Sequence, residues 1–152
     1  MKALLIEKLH HLTIRPFQNW RNSSVRWNDI SVSSLLQYPE GTLGFNLGCF
    51  LLRNNFELQP KFEDHDVMHV LTGIGITAQD EIGMHYYMLG NGKRSFYSLF
   101  YIVIGTLFYP LHIRSFLDYY KKGGEALHFH QLEFIKLLPQ PVQKIQEAFK
   151  IN

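Results

Sequence analysis

The sequence predicts an all-α protein, a single helical domain of about six to eight helices, and three observations predict it. Strand-like alternation of apolar and polar residues is nearly absent. Apolar residues recur instead at spacings of three and four in most segments. Capping residues, glycines and prolines punctuate those segments at intervals suited to helices. At 152 residues the chain has enough length for a full core and no room for a second domain.

Leu4, Leu5, Leu9 and Leu12 lie at helical spacing, which predicts a short amphipathic helix over 2–12. The stretch from Arg15 to Gln37, rich in Asn and Ser, reads as connecting structure with a short helix around Ser31–Leu36. Pro39-Glu40-Gly41 then punctuates the start of a helix over 41–53. Each interior glycine of that helix costs about 1 kcal/mol against alanine, so something must compensate. Gly44 and Gly48 are four apart, and that face permits close approach of another helix or of a ligand; helix packing is the preferred reading.

The next helix covers about 62–72 and ends at Gly73. Thr77 reads as the N-cap of its successor, with Asp80 at the third helical position and Gly90-Asn91-Gly92 as the stop. From Ser95 to Ile113 the chain carries no charge, close to the roughly 20 residues that span a bilayer. Ser98, Gly105, Thr106 and Pro110 interrupt that run. They favour a buried helix beside an apolar pocket, or one that presses on a membrane surface. Helical patterns follow at 112–122 and 125–138, split by Gly123-Gly124, and at 141–151, opened by Pro141.

Composition excludes some function classes. The net charge is +2 with basic residues scattered, so no nucleic-acid partner is expected. Charged residues are only 18% and aromatics 14%, which suggests either a Phe-rich core or an apolar pocket or surface. The single cysteine, Cys49, rules out an internal disulfide and fits a reducing compartment; its apolar surroundings read as structural rather than nucleophilic. Glu7 and Lys8 interrupt the apolar start after four residues, unlike a signal peptide.

The chemistry concentrates in His65-Asp66-Val67-Met68-His69. Two imidazoles four apart share one helix face and can reach one cation. Asp66 lies about 100° round the helix from His65 and about 60° from His69, so it can be a third ligand or the carboxylate that orients an imidazole. Glu81 follows His69 after eleven residues, across the glycine-bearing turn of 72–77, and reads as a further ligand; its plainer role is to complement the helix dipole. This N/O donor set, with a position left open, is zinc-like. HDxxH shares the histidine spacing of the HExxH peptidases, but no peptidase continuation follows, and His10 and His11 are not placed to complete an HD-type phosphohydrolase. His85, four residues after Glu81, reads as a helix residue or a supporting partner, and His128 and His130 as structural.

Together these residues resemble the coenzyme Q biosynthesis protein four family. Pro39-Glu40-Gly41-Thr42-Leu43-Gly44 is similar to its PEGTLG segment, His65 to Gly73 to its HDxxHVLTG segment, and Glu81 falls at the family interval. The match is clearest over 38–92, and the chain looks like a short, divergent bacterial-type member. The resemblance implies an all-helical fold with His65, Asp66, His69 and Glu81 holding a divalent metal, usually zinc, and serving as the catalytic set. It also implies a pocket for a prenylated quinone precursor or other isoprenoid lipid, a homodimer, and other quinone-biosynthesis proteins as partners. The location it implies is the cytoplasmic face of the inner membrane, bound peripherally. The expected activity is to act on, or present, prenylated hydroxybenzoate, extending to oxidative decarboxylation of the ring. A non-catalytic prenyl-lipid scaffold with a structural metal and an unrelated metallohydrolase are the alternatives.

Overall fold

The computed structural model of the chain describes residues 27, 29–58 and 63–152. The expected helix over 2–12 and the connecting stretch from Arg15 to residue 26 lie outside them. Seven α-helices and two short 3-10 turns make up the regular structure of the described residues, with no strand beyond an isolated Thr42–Pro141 bridge. The all-α expectation holds. The contacts of this helical domain fall into two compact units, one within 21–73 and 132–148, the other within 74–131 and 149–152.

In the first unit, α1 (Val32–Leu35) is a single turn held by a reciprocal Ser31–Ser34 capping box, with Leu35 fully buried. α2 (Leu43–Arg53) starts where expected. Its N-terminal amides are satisfied in two ways: Thr42 Oγ1 accepts from the Phe45 N–H, and the C-terminal segment supplies the Gln140 and Leu138 carbonyls to the Leu43 and Gly44 N–H groups, each at 2.8 Å. The glycine face of α2 is filled by its own chain. A methyl group on Gly44 would lie 2.6 Å from the Tyr38 ring, and one on Gly48 would lie 3.0 Å from Leu35 Cβ. Helix packing therefore offsets the glycine cost.

α3 (Glu63–Thr72) buries Val67, Met68 and Leu71 and ends at Gly73, whose φ of +67° suits glycine; the Gly73 N–H closes the last turn on the His69 carbonyl. Gln146, on α7 (Val142–Phe149), donates through Nε2 to the Leu71 carbonyl at 2.9 Å and so caps the C-terminus of α3.

The second unit is built on α4 (Ala78–Gly90), α5 (Phe96–Phe108) and α6 (Ile113–Glu125). Thr77 and Asp80 form the expected capping box at the start of α4. Ile82, Tyr86, Tyr101, Ile102 and Phe116 form its apolar core. Each such side chain contributes roughly 1.5–3 kcal/mol by leaving water. The apolar run from Ser95 breaks before Pro110, and the chain bends by 107° between α5 and the segment Pro110–Glu125. No single helix among the described residues is long and apolar enough to cross a membrane.

Two expectations are corrected here. Gly123-Gly124 does not split the chain; both residues lie inside α6. Gly123 is there because α4 and α6 approach closely: a methyl group on it would lie 1.9 Å from the Tyr87 carbonyl oxygen, and one on Gly90 2.0 Å from that of Tyr120. The expected helix over 125–138 is also absent, replaced by irregular chain and a 3-10 turn at Phe134–Leu137. Asn91, fully buried, explains the stop. Its Nδ2 donates to the carbonyls of Gly123 and Leu127 at 3.2 and 3.0 Å, while its Oδ1 accepts from the Phe129 N–H at 3.1 Å. These bonds satisfy buried backbone groups that a continuing helix would have paired with itself.

Candidate metal centre

His65 and His69 come from successive turns of α3. Their Nε2 atoms lie 3.0 Å apart, with the rings nearly perpendicular at 84°. Two nitrogens bound to one tetrahedral zinc at about 2.0–2.1 Å stand roughly 3.3 Å apart, so the pair is close to the geometry of a shared ion. His69 is buried and stacks on Phe50 of α2, with ring centroids 5.5 Å apart and 13° between planes. That stack fixes its rotamer and shields one face from water. His65 is half-buried, which leaves an approach to the pair.

Asp66 lies on α3, half-buried, one residue beyond His65. Glu81 stands in the first turn of α4, where the Thr77–Asp80 box fixes the start of the helix. Acidic side chains are favoured at that position by the helix dipole. His65 and His69 belong to the first unit and Glu81 to the second; these three side chains could each offer one ligand atom to a metal ion, and Asp66 does not count among them. Two imidazole nitrogens and a carboxylate oxygen are donor types that suit zinc.

No family model and no curated protein matches the chain. Its fold is shared with a solved structure. That protein, from Nostoc punctiforme and named as a candidate ubiquinone biosynthesis protein, is 21% identical over all of this chain and 82% of its own, with a TM-score of 0.67. At this identity the likeness is one of fold.

The remaining sequence candidates fall in other places. His85 is buried on α4, with Nδ1 3.3 Å from Ser98 Oγ. His130 Nδ1 lies 3.3 Å from Asn91 Oδ1 and its ring 5.8 Å from that of His128, so both histidines belong to the Asn91 turn. Cys49 is partly exposed on α2. Two residues escaped the sequence reading. Phe50 carries no local signal of its stack on His69. Tyr101, three residues beyond Ser98, is one of several tyrosines in its run and carries no local signal of its contact with His85.

Proposed function

We propose that this chain is a metal-binding, membrane-associated protein of the ubiquinone-biosynthesis type, acting on or presenting prenylated hydroxybenzoate precursors at the cytoplasmic face of the inner membrane. The observation that carries the reading is the His65–His69 pair, with its two Nε2 atoms 3.0 Å apart. Neutral imidazoles hold a proton poorly against a divalent cation, so such a pair is a natural chelate. His65, His69 and Glu81 are the ligands in this reading, and Asp66 completes the set as a ligand or orients an imidazole. A zinc ion held there supplies Lewis acidity toward phenolate or carboxylate oxygens of an aromatic ring. His69, buried under Phe50, gives the pair a fixed geometry, and half-buried His65 faces the approach.

Support for the lipid side comes from α5. Phe96, Phe100, Val103 and Leu107 repeat at four, three and four residues and are all exposed, Phe96 at 86% and Leu107 at 72%. Leu111, just past the bend, is 94% exposed, and Lys93, Arg94 and Arg114 flank the segment in sequence. An apolar stripe bordered by cations suits an anionic bilayer surface. A second copy of the chain and other quinone-biosynthesis proteins are the partners of this reading.

The test is elemental analysis with lipid-extract mass spectrometry on freshly purified protein. About one metal per chain together with a prenylated ring compound is the expected result. Metal without lipid would support the metal site and count against the pathway, and no metal would overturn the reading. His65→Ala and Glu81→Ala are each expected to abolish metal binding with most helicity kept; stoichiometric metal in either purified variant sinks the ligand assignment. Turnover of prenylated hydroxybenzoate by the loaded protein would exclude a scaffold role, whereas tight lipid binding without turnover would establish one.

A further inference from the structure

Past α6 the irregular chain carries His128 and His130 on either side of Phe129. Phe129 is fully buried, its ring 6.3 Å from that of Tyr87, and it turns inward. His128 is exposed and His130 half-buried, and both imidazoles lie over Gly92. A methyl group on Gly92 would stand 3.2 Å from both Cε1 and Nε2 of His128, and 3.4 Å from Cε1 of His130. At φ +95° this glycine makes the turn and also clears the space in front of the two rings. The ring centroids are 5.8 Å apart, with 55° between planes. Two imidazoles bound to one ion, each nitrogen at about 2.0–2.1 Å, bring their centroids to roughly 5–6 Å from each other. The pair is therefore within reach of a shared cation.

Asn91 sets the tautomer of His130. Its Nδ2 donates to the carbonyls of Gly123, Ala126 and Leu127, which leaves Oδ1 facing His130 Nδ1 at 3.3 Å. An amide oxygen only accepts, so Nδ1 carries the hydrogen and Nε2 keeps the lone pair. A partner that fixes tautomer and ring orientation in this way is the common support of a metal-binding histidine. We propose that His128 and His130 form a second metal site, separate from the His65–His69 centre, in which their imidazole nitrogens bind a late first-row divalent ion and Asn91 orients His130. Nitrogen donors of this kind place Cu²⁺ at the top of the divalent series. Lys93 adjoins Gly92, and its charge opposes a cation here. With two protein donors and that opposing charge, the ion exchanges readily instead of staying bound through purification.

The test is a Cu²⁺ titration of the metal-free full chain, followed by the histidine Cε1–H ¹H resonances, because the paramagnetic ion broadens those of the residues that bind it. The resonances of His128 and His130 are expected to vanish together, and at less Cu²⁺ than that of His112. His112 is the control, an exposed histidine whose ring neighbours are Tyr109 and Phe116. A chelate needs both rings, so His128→Gln is expected to restore the His130 resonance at the Cu²⁺ level that removes it from the full chain. His128 is exposed, and the unchanged resonances of the other histidines show that the variant is folded. Loss of His130 as readily in His128→Gln overturns the shared site, as does a pair that vanishes no earlier than His112. The two metal readings stand or fall apart. Broadening of His65 and His69 without His128 and His130 supports the first centre and overturns this one, and the reverse pattern supports this site and counts against the first.

Discussion

His130 and Asn91 illustrate how side chains outside the candidate metal centre are tied into the fold. Asn91 Oδ1 faces His130 Nδ1 at 3.3 Å, and desolvation lowers the imidazole pKa from its ordinary value, with His128 and Lys93 adding to the fall. A histidine whose pKa is lower folded than unfolded contributes stability that is present above about 6.5 and is lost as the pH falls through that value. The ¹H NMR titration of His130 is therefore expected to have its midpoint below 6.5, and Asn91→Ala to move it by altering the contact. A midpoint at or above 6.5 contradicts the environment described. Thr77 and Asp80 were legible in the sequence because an N-cap and its partner are three residues apart, within one turn. Asn91 was not, because the backbone groups it satisfies lie 32–38 residues further along the chain.

α6 carries the same lesson for a helix as a unit. Two adjacent glycines are a strong local signal for a break, and here the signal points the wrong way. The helix runs through them because Gly123 admits the backbone of α4. Gly123→Ala is expected to force the two helices apart and to cost about 3 kcal/mol or more. For a chain of this size that lowers Tm by roughly 6–12 °C. Its neighbour makes the control: a methyl group on Gly124 would find only the Gly90 oxygen, at 3.7 Å, an ordinary contact. Gly124→Ala is expected to raise stability by about 0.5 kcal/mol. Equal effects of the two substitutions in thermal unfolding would disprove the close-approach account. The length of α3, by contrast, could be read directly, since Gly73 ends it within the chain's own local chemistry.

Among the described residues, most of the exposed large apolar side chains lie on one stretch of chain, from Phe96 to Tyr120, with Leu52, Phe56, Ile76 and Leu127 elsewhere. A globular protein rarely leaves so many large apolar side chains in series without a partner. The 107° bend at Pro110 turns that surface from α5 into α6, where Leu117 and Tyr120 are also exposed. On the membrane reading, replacing Phe100 and Leu107 with Asp is expected to weaken binding to vesicles of mixed phosphatidylcholine and phosphatidylserine by at least about tenfold for each side chain removed from the bilayer. Raising the salt weakens the unaltered chain as well, through screening of its cations. Co-sedimentation that is indifferent to both changes would sink the membrane proposal.

Helix identity, most boundaries, the Thr77 and Asp80 cap and the chelating spacing of His65 and His69 are local quantities, set by residues within one or two turns of each other. For that reason they could be read from the amino acids alone. The occupant of the glycine face on α2, the continuity of α6, the irregular path after Glu125 and the setting of His85 beside Ser98 and Tyr101 depend on groups distant in the chain. Glycine, asparagine and histidine each admit several conformations or partners. Which one is realised follows from the packing that brings those distant groups to them.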